Sequence, residues 1–113
     1  MSISSALGLF IIPIRFKNLD SYPFNYIELC KNAENYGYKE VYVGEHLTDI
    51  HEDIYSSLLY CTNIASITKN IQLCPCVIPL PHYNIPLLLK HVIQLSKLSN
   101  YRVQLGVGPG ALN

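Results

Sequence analysis

Glu45 and His46 are neighbouring side chains whose types and position suit proton-transfer chemistry. They follow the apolar run 41–43 and a single residue, Gly44. An imidazole can donate or accept a proton near neutral pH, and an adjacent carboxylate can tune it or fix a substrate. A glycine turn that carries two exposed polar residues is the other interpretation, and the spacing alone leaves both open.

A glycine-rich segment at 106–111 follows another apolar run. Its sequence, Gly-Val-Gly-Pro-Gly-Ala, formally fits the dinucleotide-binding pattern G-x-G-x-x-G/A. That pattern also needs a following helix and an acidic residue about 20 positions later, whereas the sequence given ends at Asn113. The segment therefore predicts only that the backbone can closely approach a ligand such as a phosphate.

Cys76 lies at the end of a third apolar run and is a candidate thiol nucleophile. A proline-rich segment, 79–81, follows it, and the sequence positions no base beside it. The simpler interpretation is therefore that Cys76 and Val77 are core side chains that precede a stiff loop. We expect His82 and His91 to face solvent, from a loop and from a helix respectively.

The sequence predicts no metal site. The cysteines at 74 and 76 are too close for a zinc knuckle, and no second close cysteine pair faces them. His46, Asp49 and His51 lack the spacing that places two ligands on one face of a helix.

The composition indicates a globular chain without a strongly charged partner. Of its 113 residues, 50% are hydrophobic and 14% are charged, which excludes disorder. The 8 Lys and Arg balance the 8 Asp and Glu, so neither nucleic acid nor an anionic membrane is expected as a partner. The start has no basic signal-peptide region, and the longest apolar run, 6–14, is shorter than the about 20 residues that span a bilayer. We therefore expect a cytoplasmic location.

Apolar runs of strand length recur at a nearly constant spacing, at 7–12, 41–43, 71–78 and 103–107. A period of about 32 residues fits one strand, one helix and two short loops. Such an alternation predicts an α/β fold with parallel strands, whose functional groups gather at the carboxyl ends of the strands. The length indicates a single domain, 1–113.

The segments between the runs carry the apolar stripes of helices, at 24–36, 53–68 and 86–98. Gly37 suits the left-handed C-cap that ends the first helix. Asp53 suits the positive N-terminus of the second helix, and Asn84 suits the N-cap of the third.

Several stretches in their joint order resemble the bacterial-luciferase-like family of flavin and deazaflavin enzymes. They are 37–47, which contains Gly44-Glu45-His46; 80–81 with 86–90; 98–99 with Arg102; and 105–110. Each stretch alone is common, but their order is specific and covers nearly the whole chain. The resemblance implies the first four strand-helix units of a TIM (β/α)₈ barrel, incomplete in this sequence.

The resemblance also implies site residues and cofactors. His46 corresponds to the active-site histidine, with Glu45 as its acidic neighbour. Cys76 and Val77 correspond to a non-prolyl cis peptide behind the flavin, and Gly108, Pro109 and Gly110 to the rim of the cofactor site. The cofactor is FMN, used with O₂ and a small-molecule substrate by the monooxygenases, or a deazaflavin coenzyme in reductases and dehydrogenases.

The chain departs from the family pattern in sequence and in length. Asn100 and Tyr101 replace a usual pair of glycines, and Asn84 and Ile85 replace a frequent His-Pro. Some deazaflavin dehydrogenases of the family carry a catalytic acid between the positions that correspond to Gly110 and Ala111. These two residues are consecutive here, so that acid is absent, which speaks against the sugar-phosphate dehydrogenase variant. A barrel needs at least about 200 residues, so the later strands, which supply phosphate-binding residues in the family, are missing.

Three functional hypotheses follow. The first is the N-terminal part of a flavin-dependent monooxygenase. The second is a truncated, non-catalytic half-barrel that binds a partner, since an unpaired last strand invites association. The third is a deazaflavin-dependent reductase or dehydrogenase. The partner would be the missing C-terminal half, another chain or a further copy of this chain. Whether this chain alone is an enzyme stays open.

Overall fold

The computed structural model describes residues 6–12, 26–46 and 54–110. In chain order the elements are β1 (Gly8–Ile11), α1 (Tyr26–Asn35), β2 (Glu40–Val43), α2 (Ser57–Ile67), β3 (Gln72–Pro75), β4 (Ile78–Pro79), a 3₁₀ helix (Leu80–His82), α3 (Ile85–Leu98) and β5 (Val107–Gly108). The predicted alternation of strands and helices is confirmed over this part of the chain.

The strands β1, β2 and β3 form a parallel sheet in that order. Its core lies on the face toward the helices, where Val41, Val43 and Leu73 are fully buried. Cys30 of α1, Ile64 of α2 and Leu88 of α3 belong to the same apolar cluster. The sheet therefore holds its shape through one apolar layer between strands and helices.

The fourth predicted strand is less regular than expected, and the third is interrupted at the peptide for which the resemblance implies a cis bond. The run 71–78 is split into β3 and β4 by residues 76 and 77, and β4 pairs in parallel with β5. The run 103–107 contributes a single bridge from Val103 to Leu73 before β5 begins. Gly106 spans the split, because its N–H donates to the Pro75 carbonyl at 2.9 Å and its carbonyl accepts from Ile78 N–H at 2.8 Å.

The helix caps explain where the helices begin and end. Asn84 caps α3, since its side chain accepts a hydrogen bond from Leu87 N–H, and Gly37 has a φ of +91° just after α1. These two predictions are confirmed. The second helix was predicted from 53, but α2 begins at Ser57 because the Ser56 side chain accepts from Leu59 N–H and caps it; Asp53 lies outside the described residues.

Arg102 ties together the chain segments at the amino ends of the strands. Its side chain is buried, and its two terminal nitrogens donate to the carbonyls of Ala65, Thr68 and Ile71 at 3.0–3.1 Å. Its Nη1 also donates to Thr68 Oγ1, and its Nε to the carbonyl of Ser99. The planar guanidinium thus satisfies carbonyls that the end of α2 leaves without helical partners.

Glu34 holds the other side of the same loop. Its carboxylate accepts hydrogen bonds from the backbone N–H groups of Lys69, Asn70 and Ile71, at 2.7–3.0 Å. Burial acts to raise the pKa of Glu34, but these bonds and the nearby charge of Arg102 outweigh it, so the pKa is lowered. The turn between α2 and β3 is therefore fixed from both sides.

None of the helices within the described ranges is long and apolar enough to cross a membrane.

We predict that Arg102→Lys destabilises the protein by about 3 kcal/mol, because an ammonium cannot reach all of these buried carbonyls. Urea unfolding followed by circular dichroism measures the loss. Lys90→Met, at an exposed position on α3, is the control and should change the free energy of unfolding by less than about 0.5 kcal/mol. An Arg102→Lys protein that unfolds at the same urea concentration as the unchanged protein would contradict the role of Arg102.

Candidate functional site

A cavity of about 440 Å³ lies at the carboxyl ends of the strands. Most of its walls are apolar or glycine, and its polar side chains are one carboxylate, one thiol and two imidazoles. The lining residues are Phe10, Ile12, Gly44, Glu45, His46, Cys76, Val77, Pro79, His82, Pro109 and Gly110. The structure therefore brings all of the predicted site residues except Gly108 to one cavity.

Gly108 lies behind the cavity wall rather than in it. A Cβ atom added to Gly108 would come within 3.1 Å of Val77 Cγ2. The glycine therefore allows β5 to pack closely against Val77, and Val77 itself lines the cavity.

The carboxylate of Glu45 is buried and held at both oxygens. Oε2 accepts hydrogen bonds from Ser57 N–H at 2.6 Å and from the Ser57 hydroxyl at 2.8 Å. Oε1 accepts from the Tyr83 hydroxyl at 2.6 Å. Since Ser57 is the first residue of α2, the charge also lies at the end of the helix that favours an anion.

The hydrogen bond to Glu45 also affects the pKa of Tyr83. Burial, then its hydrogen bond to Glu45 and the charge of that carboxylate, raise the pKa of Tyr83. The phenol therefore stays protonated and keeps donating to Glu45 throughout the physiological pH range.

His46 follows Glu45 directly and is exposed at the cavity wall. Its position is set by the chain that leaves β2, where Gly44 N–H donates to the Ile11 carbonyl at 3.0 Å. An imidazole at this edge of a parallel sheet can exchange protons with a ligand in the cavity.

The Cys76–Val77 peptide bond is cis, as the family resemblance implies. Cys76 N–H donates to the Val43 carbonyl at 2.9 Å, so this residue continues the line of β3 beside β2. Val77 is 42% exposed and lines the cavity. A Cβ on Gly106 would lie 3.0 Å from Cys76 Sγ, which shows how closely the two segments pack.

The other three thiols are unsuited to nucleophilic chemistry. Burial raises the pKa of Cys30 to about 12 and is the main cause that raises the pKa of Cys74 to about 11. Burial likewise raises the pKa of Cys61. Among the described residues, no group of three His, Cys, Asp or Glu side chains could hold a metal ion; Asp49 and His51 lie outside them.

Gly44 keeps the cavity open at its wall. A Cβ there would lie 3.2 Å from Ile12 Cγ1 and 3.5 Å from Phe10 Cζ, both of which line the cavity. Any larger residue at Gly44 would therefore crowd the cavity. The glycine and the apolar walls together suit a largely apolar ligand.

His82 was predicted to face solvent, but it lines the cavity. The 3₁₀ helix Leu80–His82 turns the chain back, so that the His82 ring lies beside Gly110, where a Cβ would be 3.4 Å from Nε2. The position of His82 just after a strand end was the available signal. No comparable signal pointed to Tyr83 as a partner of Glu45. His91 is exposed on α3, as predicted.

The model of the luciferase-like monooxygenase family matches residues 10–113. The 4-hydroxyprotoasukamycin monooxygenase of Streptomyces nodosus subsp. asukaensis is 33% identical over 86 residues, which are 76% of this chain and 23% of that relative.

Two solved structures resemble the chain. The oxygenating constituent of 3,6-diketocamphane monooxygenase from Pseudomonas putida, a type II Baeyer-Villiger monooxygenase in complex with FMN, has a TM-score of 0.85 at 29% identity and covers 95% of this chain. The coenzyme F420 dependent tetrahydromethanopterin reductase of Methanopyrus kandleri has a TM-score of 0.72 at 27% identity and covers 94% of this chain.

The chain spans less than a third of these proteins: the match covers 30% of the monooxygenase structure and 27% of the reductase structure. Its α/β arrangement is that of luciferase-like TIM-barrel proteins. Because the family model matches nearly the whole sequence, and the relatives and structures agree with it, the chain belongs to the luciferase-like monooxygenase family.

Proposed function

We propose that the chain is the N-terminal part of a flavin-dependent monooxygenase and forms the first four strand-helix units of its barrel. The observation that carries the proposal is the cavity at the carboxyl ends of the strands, which gathers His46, the Cys76–Val77 peptide and the segment 109–110. Active sites of TIM barrels lie at this face. The monooxygenase names of the relatives support the same reaction class.

FMN is the cofactor we propose, because the similar monooxygenase structure holds it. Val77, Pro79 and Pro109 would contact the ring, and Gly44 would leave room for it. Gly110 would lie at the rim, and Gly108 would let β5 pack behind Val77. When bound, the reduced flavin supplies the electrons that activate O₂. A deazaflavin is the alternative cofactor, favoured by the likeness to the reductase.

The chain's own residues would position the reactants, exclude water and move a proton. His46 would hold or transfer a proton at the cavity wall, whereas Glu45, with both oxygens occupied, would position it. The apolar side chains of Phe10, Ile12 and Val77 would keep water from the reacting atoms. Since the cavity has a volume of about 440 Å³, we propose a small-molecule substrate that reacts with O₂.

Completion of the barrel is the proposed role of a partner. We propose that 1–113 is one partial domain in the cytoplasm, joined by a C-terminal segment, another chain or a further copy. Within the described residues, Gln104 and Gly106 donate backbone hydrogen bonds to β3, so the backbone groups of Val103 and Leu105 face the opposite edge, and Val107 is 48% exposed. This free edge also favours the second candidate, a non-catalytic half-barrel that binds a partner.

We predict that the isolated 113-residue chain binds FMN weakly, with a dissociation constant above about 10 µM, because no cationic side chain of the described cavity wall can hold the phosphate. Flavin fluorescence titration measures it. The Gly44→Val variant, which crowds the cavity, is the matched control and should bind less FMN still. Sub-micromolar affinity for the unchanged chain would contradict the prediction.

We predict that His46→Ala lowers turnover about 10²–10⁴-fold in the flavin-loaded protein that contains the whole barrel, because a general acid/base is lost. Affinity for FMN should change far less, since a proton-transfer role acts mainly in the transition state. His91→Ala, exposed on α3, is the control and should retain activity. Full turnover by His46→Ala would remove the catalytic assignment, and a partner-binding half-barrel would show no turnover in any variant.

A further inference from the structure

Tyr83 connects two parts of the cavity wall that are distant in sequence. Its hydroxyl donates to Glu45 at 2.6 Å, across 38 positions of the chain. Glu45 precedes His46, and Tyr83 follows His82, so the hydrogen bond joins the neighbours of both cavity imidazoles. We propose that Tyr83 is a positioning residue, which holds His46 in its working orientation through the carboxylate of Glu45.

The buried environment of Glu45 makes this hydrogen bond influential. The side chain is only 8% exposed, and its described contacts are Ser57 and Tyr83, both uncharged. A buried carboxylate depends on its hydrogen bonds, because water cannot replace them without a structural change. Without the phenol, Oε1 must turn toward solvent or another donor.

A movement of Glu45 would reach His46 through the backbone. Glu45 and His46 follow each other directly after β2. The segment that leaves β2 is held by the hydrogen bond of Gly44 N–H on one side and by the Glu45 side chain on the other. Ser57 anchors only Oε2, from the start of α2. Tyr83 anchors Oε1 from the loop before α3, so the two anchors together fix the orientation of the carboxylate.

The inference rests on the proposed function, and a double-mutant cycle tests it. In the flavin-loaded whole barrel, Tyr83→Phe should lower turnover about 10-fold, with little change in KM for the substrate. In a protein that already carries His46→Ala, the same substitution should cost less than about 2-fold, because its effect passes through His46. An equal loss in both proteins would overturn the inference and leave the role of His46 intact.

Tyr42→Phe is the matched control for a lost phenol. Tyr42 also donates to a glutamate, Glu40, but it does not line the cavity. Any loss that Tyr42→Phe causes should be the same with and without His46. If Tyr83→Phe does not fold, Ser57→Ala replaces it in the cycle, since it removes the other side-chain donor to Glu45 and keeps the backbone N–H.

A second readout needs no turnover and uses the 113-residue chain itself. Diethyl pyrocarbonate modifies accessible imidazoles, and mass spectrometry gives the rate at His46. We expect Tyr83→Phe to raise this rate about 3-fold or more and Tyr42→Phe to leave it unchanged. An unchanged rate in Tyr83→Phe would overturn the inference even if the protein has no monooxygenase activity. An altered rate would support it independently of the proposed reaction.

Discussion

A buried carboxylate that accepts hydrogen bonds from uncharged donors holds the candidate site together. Within the part of the chain that the structure describes, Glu45 accepts two hydrogen bonds from Ser57 and one from Tyr83. It thereby joins the end of β2, the start of α2 and the loop before α3. The donors are the backbone N–H and the hydroxyl of Ser57 and the hydroxyl of Tyr83. The cavity wall keeps its shape only while these turns stay in contact, since a buried carboxylate that loses a donor is costly.

The opposite end of the sheet is fixed by a different set of charges. Arg102 and Glu34 bind backbone groups around the turn between α2 and β3, and neither lines the cavity. The groups that hold this turn and the groups that line the cavity therefore lie at opposite ends of the strands. A substitution at Arg102 should act on folding, and one at His46 on a bound ligand.

Local patterns predicted the alternation of strands and helices, although not the bounds of every element. The recurring apolar runs predicted the parallel order of β1, β2 and β3, and Asn84 and Gly37 predicted helix boundaries that the structure confirms. These features depend on residues close in sequence, where hydrophobic period and cap chemistry decide the outcome. The family resemblance, carried by joint motif order, supplied the cis peptide at Cys76–Val77.

Features that depend on distant contacts were not predictable in the same way. The Ser56 cap shortened α2, the run 103–107 met β3 in a single bridge, and His82 turned inward toward Gly110. The partnership of Glu45 with Tyr83 spans 38 positions, and no periodic pattern encodes such a pair. The sequence therefore located the strand ends, and tertiary packing decided which side chains meet there.

Binding of the flavin ring in this cavity is the central claim, and riboflavin tests it directly because it carries the ring without the phosphate. The measurement is a riboflavin titration of the ¹⁵N-labelled 113-residue chain, followed by amide shifts in NMR spectra. We predict shifts concentrated at residues 44–46, 76–77 and 106–110, around the cavity. Shifts confined to the outer faces of α1 and α3 would contradict it.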